Sequence, residues 1–424
     1  MPSIGLGFYR NLSVWWISTT IVIFGEDLAA CLAAHEIRKI NRREEVIIVR
    51  SSRSIGYSRR LLPYYAAGLV ERAELIPGEL LEIADLVTIA SSEAISYDDG
   101  YLTVDGRQIA KPAVLVSAWP LLNRRGAVNL LKPEDAEALR DALQAAKEAF
   151  VTGGVAALPV VDALATAGWK VSLTWNCEEF DSDVESVLIN ELQKGGNVRL
   201  VSEPPSDAPV LINFGGGDPP SLPLGRVTAE GFIPVDSSCR VVGSDLHAIG
   251  LATEVVEPEG FKHRVACEEE VLLQAMNFAA FEVKAPFPLL RRYFVARFGG
   301  RVYASFGLTM GEAESVGYEA AATRIRGWGC CSDVLLKAIA SREGHVLGLQ
   351  VAINEEFAWI LGLLYFIVLS RAKLHEVSRA ISPIELQNPS FEGIFDKAFK
   401  ALLRKAILRS LARTSQRLTG ELNP

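Results

Sequence analysis

Two stretches of this chain repeat one plan, and that plan limits the fold more than any other feature. Thr20 to Arg50 reads TIVIFGEDLAACLAAHEIRKINRREEVIIVR: an apolar strand, a tight turn at Gly25, an Ala- and Leu-rich helix, then a second apolar strand from Val46 to Val49. Ala149 to Trp175, AFVTGGVAALPVVDALATAGWKVSLTW, runs strand, turn, helix and strand again. Strand-helix-strand units place their strands in parallel, so the expected class is α/β with two Rossmann-like domains.

Such units bind dinucleotides through G-x-G-x-x-G. The first Gly makes the turn, the second lets backbone approach the pyrophosphate, and the third lets helix pack on strand. In the first unit only Gly25 remains, followed by Glu26, Asp27, Leu28, Ala29 and Ala30. Asp27 sets a carboxylate where two phosphates would meet the helix N-terminus. At ~4 Å and an effective dielectric of ~20, each such contact costs about 4 kcal/mol, on the order of a thousandfold in affinity. The acid expected at the end of the second strand, to hold ribose hydroxyls, is Arg50. Without a ligand, Asp27 has a plain role: a carboxylate in the first turn satisfies free N–H groups and suits the helix dipole. In the second unit the glycine positions read Thr152, Gly154 and Ala157, and Trp175 stands at the strand-end acid. Pro159 is tolerable in a first helical turn. A weakened nicotinamide nucleotide site stays open there.

At 424 residues with 49% apolar composition, the chain implies two or three domains with substantial cores. Its net charge of -8 argues against general nucleic-acid binding. Six cysteines (Cys31, Cys177, Cys239, Cys267, Cys330, Cys331) show neither C-x-x-C spacing nor a disulfide framework, so a reducing cytoplasm is the expectation. Phe357 to Leu369, FAWILGLLYFIVL, is too short to span a membrane and reads as a buried helix. The opening MPSIGLGFYRNLSVWWIS is a poor signal peptide and reads as an arm packing through Trp15 and Trp16.

Beyond the repeat, several segments resemble one family. Tyr57 to Gly68 (YSRRLLPYYAAG) is similar to the loop after the second strand in the pyridine nucleotide-disulfide oxidoreductases, in the branch of coenzyme A-disulfide reductases and NADH oxidases. Gly231 to Glu254 (GFIPVDSSCRVVGSDLHAIGLATE) resembles that family's second FAD segment. Gly307 to Gly317, Val346 to Val351 and Asn388 to Asp396 resemble its C-terminal dimerisation domain. The resemblance implies a discontinuous FAD-type domain over 18–120 and 226–297, an inserted NAD-type domain over 121–225, and an α+β interface domain over 298–424. The run Phe214 to Pro223 is the expected hinge between the first two.

The departures from the family pattern fall on functional positions. The A-T-G between the two nucleotide segments is Leu115, Val116 and Ser117 here. The A-G-D whose Asp would hold the flavin's ribityl and phosphate region is Ile249, Gly250 and Leu251. The redox cysteine falls on Arg60, which can form no mixed disulfide. The expectation is therefore a pseudoenzyme with no tightly bound cofactor, serving as a structural or regulatory subunit of a homo- or hetero-oligomer. The alternative is an active flavoprotein using FAD and NAD(P)H without a redox cysteine.

Three minor expectations remain. Arg59 and Arg60, with Arg38 and Lys39, could form a basic cluster for an anion; in coenzyme A-dependent relatives basic residues there recognise the coenzyme's phosphates, although Glu36 replaces one of them. The five histidines have no metal spacing and read as surface or packing residues; Cys330 and Cys331 read as ordinary thiols. Asp396 to Arg417 has the pattern of a basic amphipathic helix, residues 397–417 being expected to meet a dimer mate, an acidic partner subunit or an anionic membrane surface.

Overall fold

The computed structural model describes residues 20–377, apart from 51, 81–82, 92–94, 99–100, 147, 205–207, 215–227, 229–230, 258–259, 329–330 and 375, together with 400–401 and 404–405. Two parallel sheets of five strands form as the repeated plan requires. In the first the order is His247–Ile249, Ala113–Ser117, Ile21–Phe24, Val46–Arg50, Thr88–Ser91. In the second it is Val198–Val201, Lys170–Thr174, Glu148–Thr152, Leu211–Asn213, Ala127–Asn129. Neighbours pair in parallel throughout both. Their strands are near-continuous apolar runs because both faces are covered: Val22, Ile23, Val151 and Leu173 are fully buried.

The first helix, Leu28–Ile40, buries Ala29, Ala30, Ala33 and Ala34. Small side chains on that face let it lie against the helix Glu268–Glu282 over the first sheet, and both contribute to one core. A third sheet is antiparallel, in the order Tyr293–Phe298, Arg301–Gly307, Val346–Asn354, Cys331–Ser341, Ala320–Trp328. The helix Leu361–Leu369 covers it, burying Leu361, Leu364, Ile367 and Val368. This segment is only half buried, not wholly so as its composition suggested: Trp359, Leu363 and Phe366 are 71%, 48% and 62% exposed. A hydrophobic run records that apolar area exists; which part is covered depends on what packs against it.

Lys337 in the third sheet reaches the start of the helix Ser182–Lys194, its ammonium lying 2.9 Å from Asp181 and 2.7 Å from Asp183. Trp15 and Trp16, the segment after Phe214, Asn388 to Asp396, Cys330 and most of 397–417 lie outside the described residues. Of that C-terminal segment, Lys400, Ala401, Arg404 and Lys405 are helical, and Lys405 donates to the Ala322 carbonyl at 2.8 Å. Among the described residues no helix is long and apolar enough to cross a membrane.

Candidate functional site

In the first sheet the chain leaves Ile21–Phe24 toward Val46–Arg50 on one side, while Ala113–Ser117 lies on the other. Ligands of open α/β sheets bind outside the carboxyl ends of the strands at such a reversal. A crevice of about 700 Å³ opens there, its walls including Phe24, Gly25, Val49, Ser117, Trp119 and Lys132.

The helix N-terminus facing this crevice is already satisfied by protein. Asp27 caps Leu28–Ile40, its side chain accepting from the Ala30 N–H at 2.9 Å. The other carboxylate oxygen accepts from Arg59 Nε at 2.9 Å, Ser117 Oγ at 2.7 Å and Trp119 Nε1 at 2.9 Å. Asp27 is 1% exposed, and the Arg59 guanidinium carbon lies 4.3 Å from the Trp119 ring centroid. Buried charges persist only when paired and hydrogen-bonded, and Asp27 meets both conditions without a phosphate. Gly25 permits this closure: at φ 148° a Cβ would stand 2.7 Å from that of Ser117.

The loop that delivers Arg59 is held from a second side. Glu268, at the start of the helix Glu268–Glu282, accepts from Ser58 Oγ at 2.5 Å and from the Arg59 N–H at 2.6 Å. Burial pushes its carboxyl up to about 7, against the Ser58 hydrogen bond. Arg60, where the resemblance would put a redox cysteine, lies 3.8 Å from Glu269, which Arg297 also holds at 2.8 Å. Only about 20 Å³ is open between Arg60, Tyr64, Val155, Pro159, Phe214 and Phe294. That is room for a water.

The remaining positions pack on protein. Leu251 is 1% exposed and belongs to the core under the first sheet. Its neighbour Gly250 donates to Gln274 Oε1 at 2.9 Å, and a Cβ there would stand 2.1 Å from the Ala118 carbonyl oxygen. In the second unit, Gly154 approaches the Asn176 carbonyl so closely that a Cβ would stand 2.4 Å away. Pro159 sits in the first turn of Leu158–Thr166 as expected, and Trp175 donates to Glu185 at 2.6 Å.

The four basic residues divide between two places. Arg59 pairs with Asp27 at the start of the first helix, and Arg60 faces Glu269 at the start of the helix Glu268–Glu282. Arg38 and Lys39 close the first helix, of 13 residues and ~20 Å long by its rise. There Arg38 donates to the Arg42 and Glu44 carbonyls, and Lys39 lies 3.5 Å from Glu36. Arg50 donates to the Arg53 carbonyl at 2.7 Å. Sequence reasoning did not single out Trp119 or Glu268; no motif marks them, and only the long-range fold brings them to positions 27 and 58.

Elsewhere, His263 lies between Glu257 at 3.4 Å and Glu270 at 2.7 Å, with Arg291 2.8 Å from Glu257. Burial pushes its pKa down, but the two carboxylates outweigh that and raise it to about 9. It is buried between the two carboxylates and so is not a surface residue. Among the described residues no cluster of His, Cys, Asp and Glu could hold a metal ion.

No protein-family model and no curated protein matches the chain. Solved structures do. The water-forming NADH oxidase from Lactobacillus brevis bound to NADH matches with a TM-score of 0.74 at 15% identity, over 93% of this chain and 100% of that one. A NAD-dependent persulfide reductase from A. fulgidus matches at 0.70 and 18%, over 85% and 79%. A FAD-dependent pyridine nucleotide-disulphide oxidoreductase from Desulfovibrio vulgaris matches at 0.63 and 14%, over 92% and 100%. The chain thus has the fold of the pyridine nucleotide-disulfide oxidoreductases. Its residues do not match the family's FAD motif: Asp27 and Arg59 fill the turn after the first strand.

Proposed function

We propose that this chain is a non-catalytic subunit, using the oxidoreductase fold for shape in a homo- or hetero-oligomer. The observation that carries the proposal is the Asp27 carboxylate, buried at the helix N-terminus and bonded by Arg59, Ser117, Trp119 and the Ala30 N–H. Arg60 in place of a redox cysteine and Leu251 in place of an acid agree with it. The purified protein should show no flavin absorbance. Release of one FAD per chain on denaturation would reject the proposal in favour of an active flavoprotein NAD(P)H oxidoreductase without a redox cysteine. That second reading is supported by the extent of the fold likeness to NADH oxidases.

The proposed assembly is a homodimer through the 298–424 domain, or the same surface meeting another subunit. Leu363 and Phe366 are three apart on the covering helix, which groups them on one side, and Trp359 is exposed in the 3-10 turn that leads into it. Light scattering at micromolar concentration should give twice the chain mass. For residues 397–417 we propose a contact with a partner or an anionic membrane surface at its cytoplasmic face. Such a contact would weaken as salt shortens the Debye length from ~10 Å at 0.1 M to ~3 Å at 1 M.

A further inference from the structure

The crevice at the carboxyl ends of the first sheet stays open although its phosphate turn is closed. We infer that it binds a small organic monoanion with a flat apolar body, such as an aromatic carboxylate or sulfonate, in place of a dinucleotide. The inference rests on the crevice carrying no FAD, and it goes beyond the scaffold role by giving the site a ligand.

The size is suitable: about 700 Å³ lies within the range of small-molecule sites, about 300–1,000 Å³. The walls are largely apolar, with Phe24, Val49, Leu121, Val128, Leu131 and the buried Trp119. The polar groups along them differ in whether they already have partners. Asp135 accepts from the Leu131 and Lys132 N–H groups at 3.0 and 3.1 Å. Asn129 accepts from the Leu122 N–H at 2.7 Å and from Asn213 Nδ2 at 2.8 Å. Glu26 lies 3.4 Å from the Tyr57 hydroxyl. Two cationic donors have capacity left. Arg59 gives Nε to Asp27, but its Nη1 is buried with no hydrogen-bond partner among the described residues. Lys132 forms no ion pair among them and is only partly exposed.

A buried donor without an acceptor is destabilising, so a ligand acceptor that reaches Arg59, which lines the crevice, would satisfy it while Lys132, on the same wall, balances its charge. A second negative charge would meet Glu26, Asp27 and Asp135, all at or beside the crevice. The site therefore takes one charge and not the two of a pyrophosphate.

The test uses anilinonaphthalenesulfonate, an aromatic monoanion, beside phenylnaphthylamine, its uncharged counterpart, on the full chain after its flavin content has been measured. We expect one saturable sulfonate site per chain. Lys132→Met should weaken the sulfonate about tenfold or more, since a hydrogen bond to a charged group is lost, and leave the neutral probe unchanged. Ala138→Phe, on the crevice wall, should weaken both probes; Ala138→Leu serves if circular dichroism shows the Phe variant to be misfolded. ADP should not compete. Sulfonate binding that ignores both substitutions, or that ADP displaces, overturns the inference. A flavin-free chain with that result leaves the non-catalytic reading standing, whereas stoichiometric FAD overturns both.

Discussion

The two strand-helix-strand units share a plan and hold the turn after their first strand by different means. The first closes with side chains: Asp27, Arg59, Ser117 and Trp119 form a buried polar cluster over the helix N-terminus. The second is held by main chain, as Gly153 and Gly154 come against the carbonyls of Phe214 and Asn176. A side-chain closure depends on charge pairing and fails when one partner is removed. A backbone closure depends on the absence of a Cβ and fails when one is added. In both, the glycines that remain are explained by protein neighbours, so their presence is no evidence for a ligand.

The largest expected effect follows from breaking the first closure. Asp27→Ala leaves the Arg59 guanidinium buried without its carboxylate and the helix without its cap. Loss of one partner of a buried pair costs about 3–5 kcal/mol. Urea denaturation should show that loss, and a drop below 1 kcal/mol would mean the pair is relaxed by water. Asp27→Asn should fall between, because the amide keeps a cap but not the charge.

The second closure should break by a different substitution. At Gly153, φ is 129° and an added Cβ would stand 1.6 Å from the Phe214 carbonyl oxygen. Gly153→Ala therefore combines backbone strain of about 1–3 kcal/mol with overpacking of about 1–3 kcal/mol. Gly168, also at positive φ but with no atom within 4 Å of an added Cβ, is the control and should lose less. Equal losses at the two positions would show that φ alone decides and that the close approach does not matter.

A smaller effect separates buried charge from the nucleotide turns altogether. His263 has its pKa raised to about 9 from the ordinary 6.5, by the Glu270 and Glu257 carboxylates working against burial. A raised folded pKa gives stability that is complete below about 6.5 and is lost as pH rises through about 9. Denaturation midpoints should fall across that window, and His263→Gln should flatten the slope. A slope unchanged by the substitution would assign it to other groups. The smallest effect on the fold itself is expected at Phe366, exposed on the helix Leu361–Leu369: Phe366→Glu should change the stability of the chain by no more than about 0.5 kcal/mol while halving the mass seen by light scattering.

Much of the architecture was legible because it follows from local pattern. The apolar runs at 20–24, 46–50, 148–152 and 170–174 form the parallel strands that their flanking helices require. Asp27 takes the helix-capping geometry that its place before Leu28 allowed, since a cap needs only residues within one turn. The loop from Tyr57 was recognised as a segment, yet its partners were not. Trp119 lies 92 positions from Asp27, and Glu268 lies 210 from Ser58.

Sequence by itself determined the α/β class, the two units, the capping carboxylate and the residue types at the nucleotide positions. Those are properties of periodicity and of side-chain chemistry, and they survive without knowing what packs where. Only the tertiary structure decided that Arg59 neutralises Asp27 instead of joining Arg38 and Lys39, that His263 is held between two glutamates, and that Trp359, Leu363 and Phe366 face outward. Each depends on residues far apart in the chain arriving within a few ångströms. At that range Coulomb energy and desolvation vary steeply with position, while sequence spacing records neither.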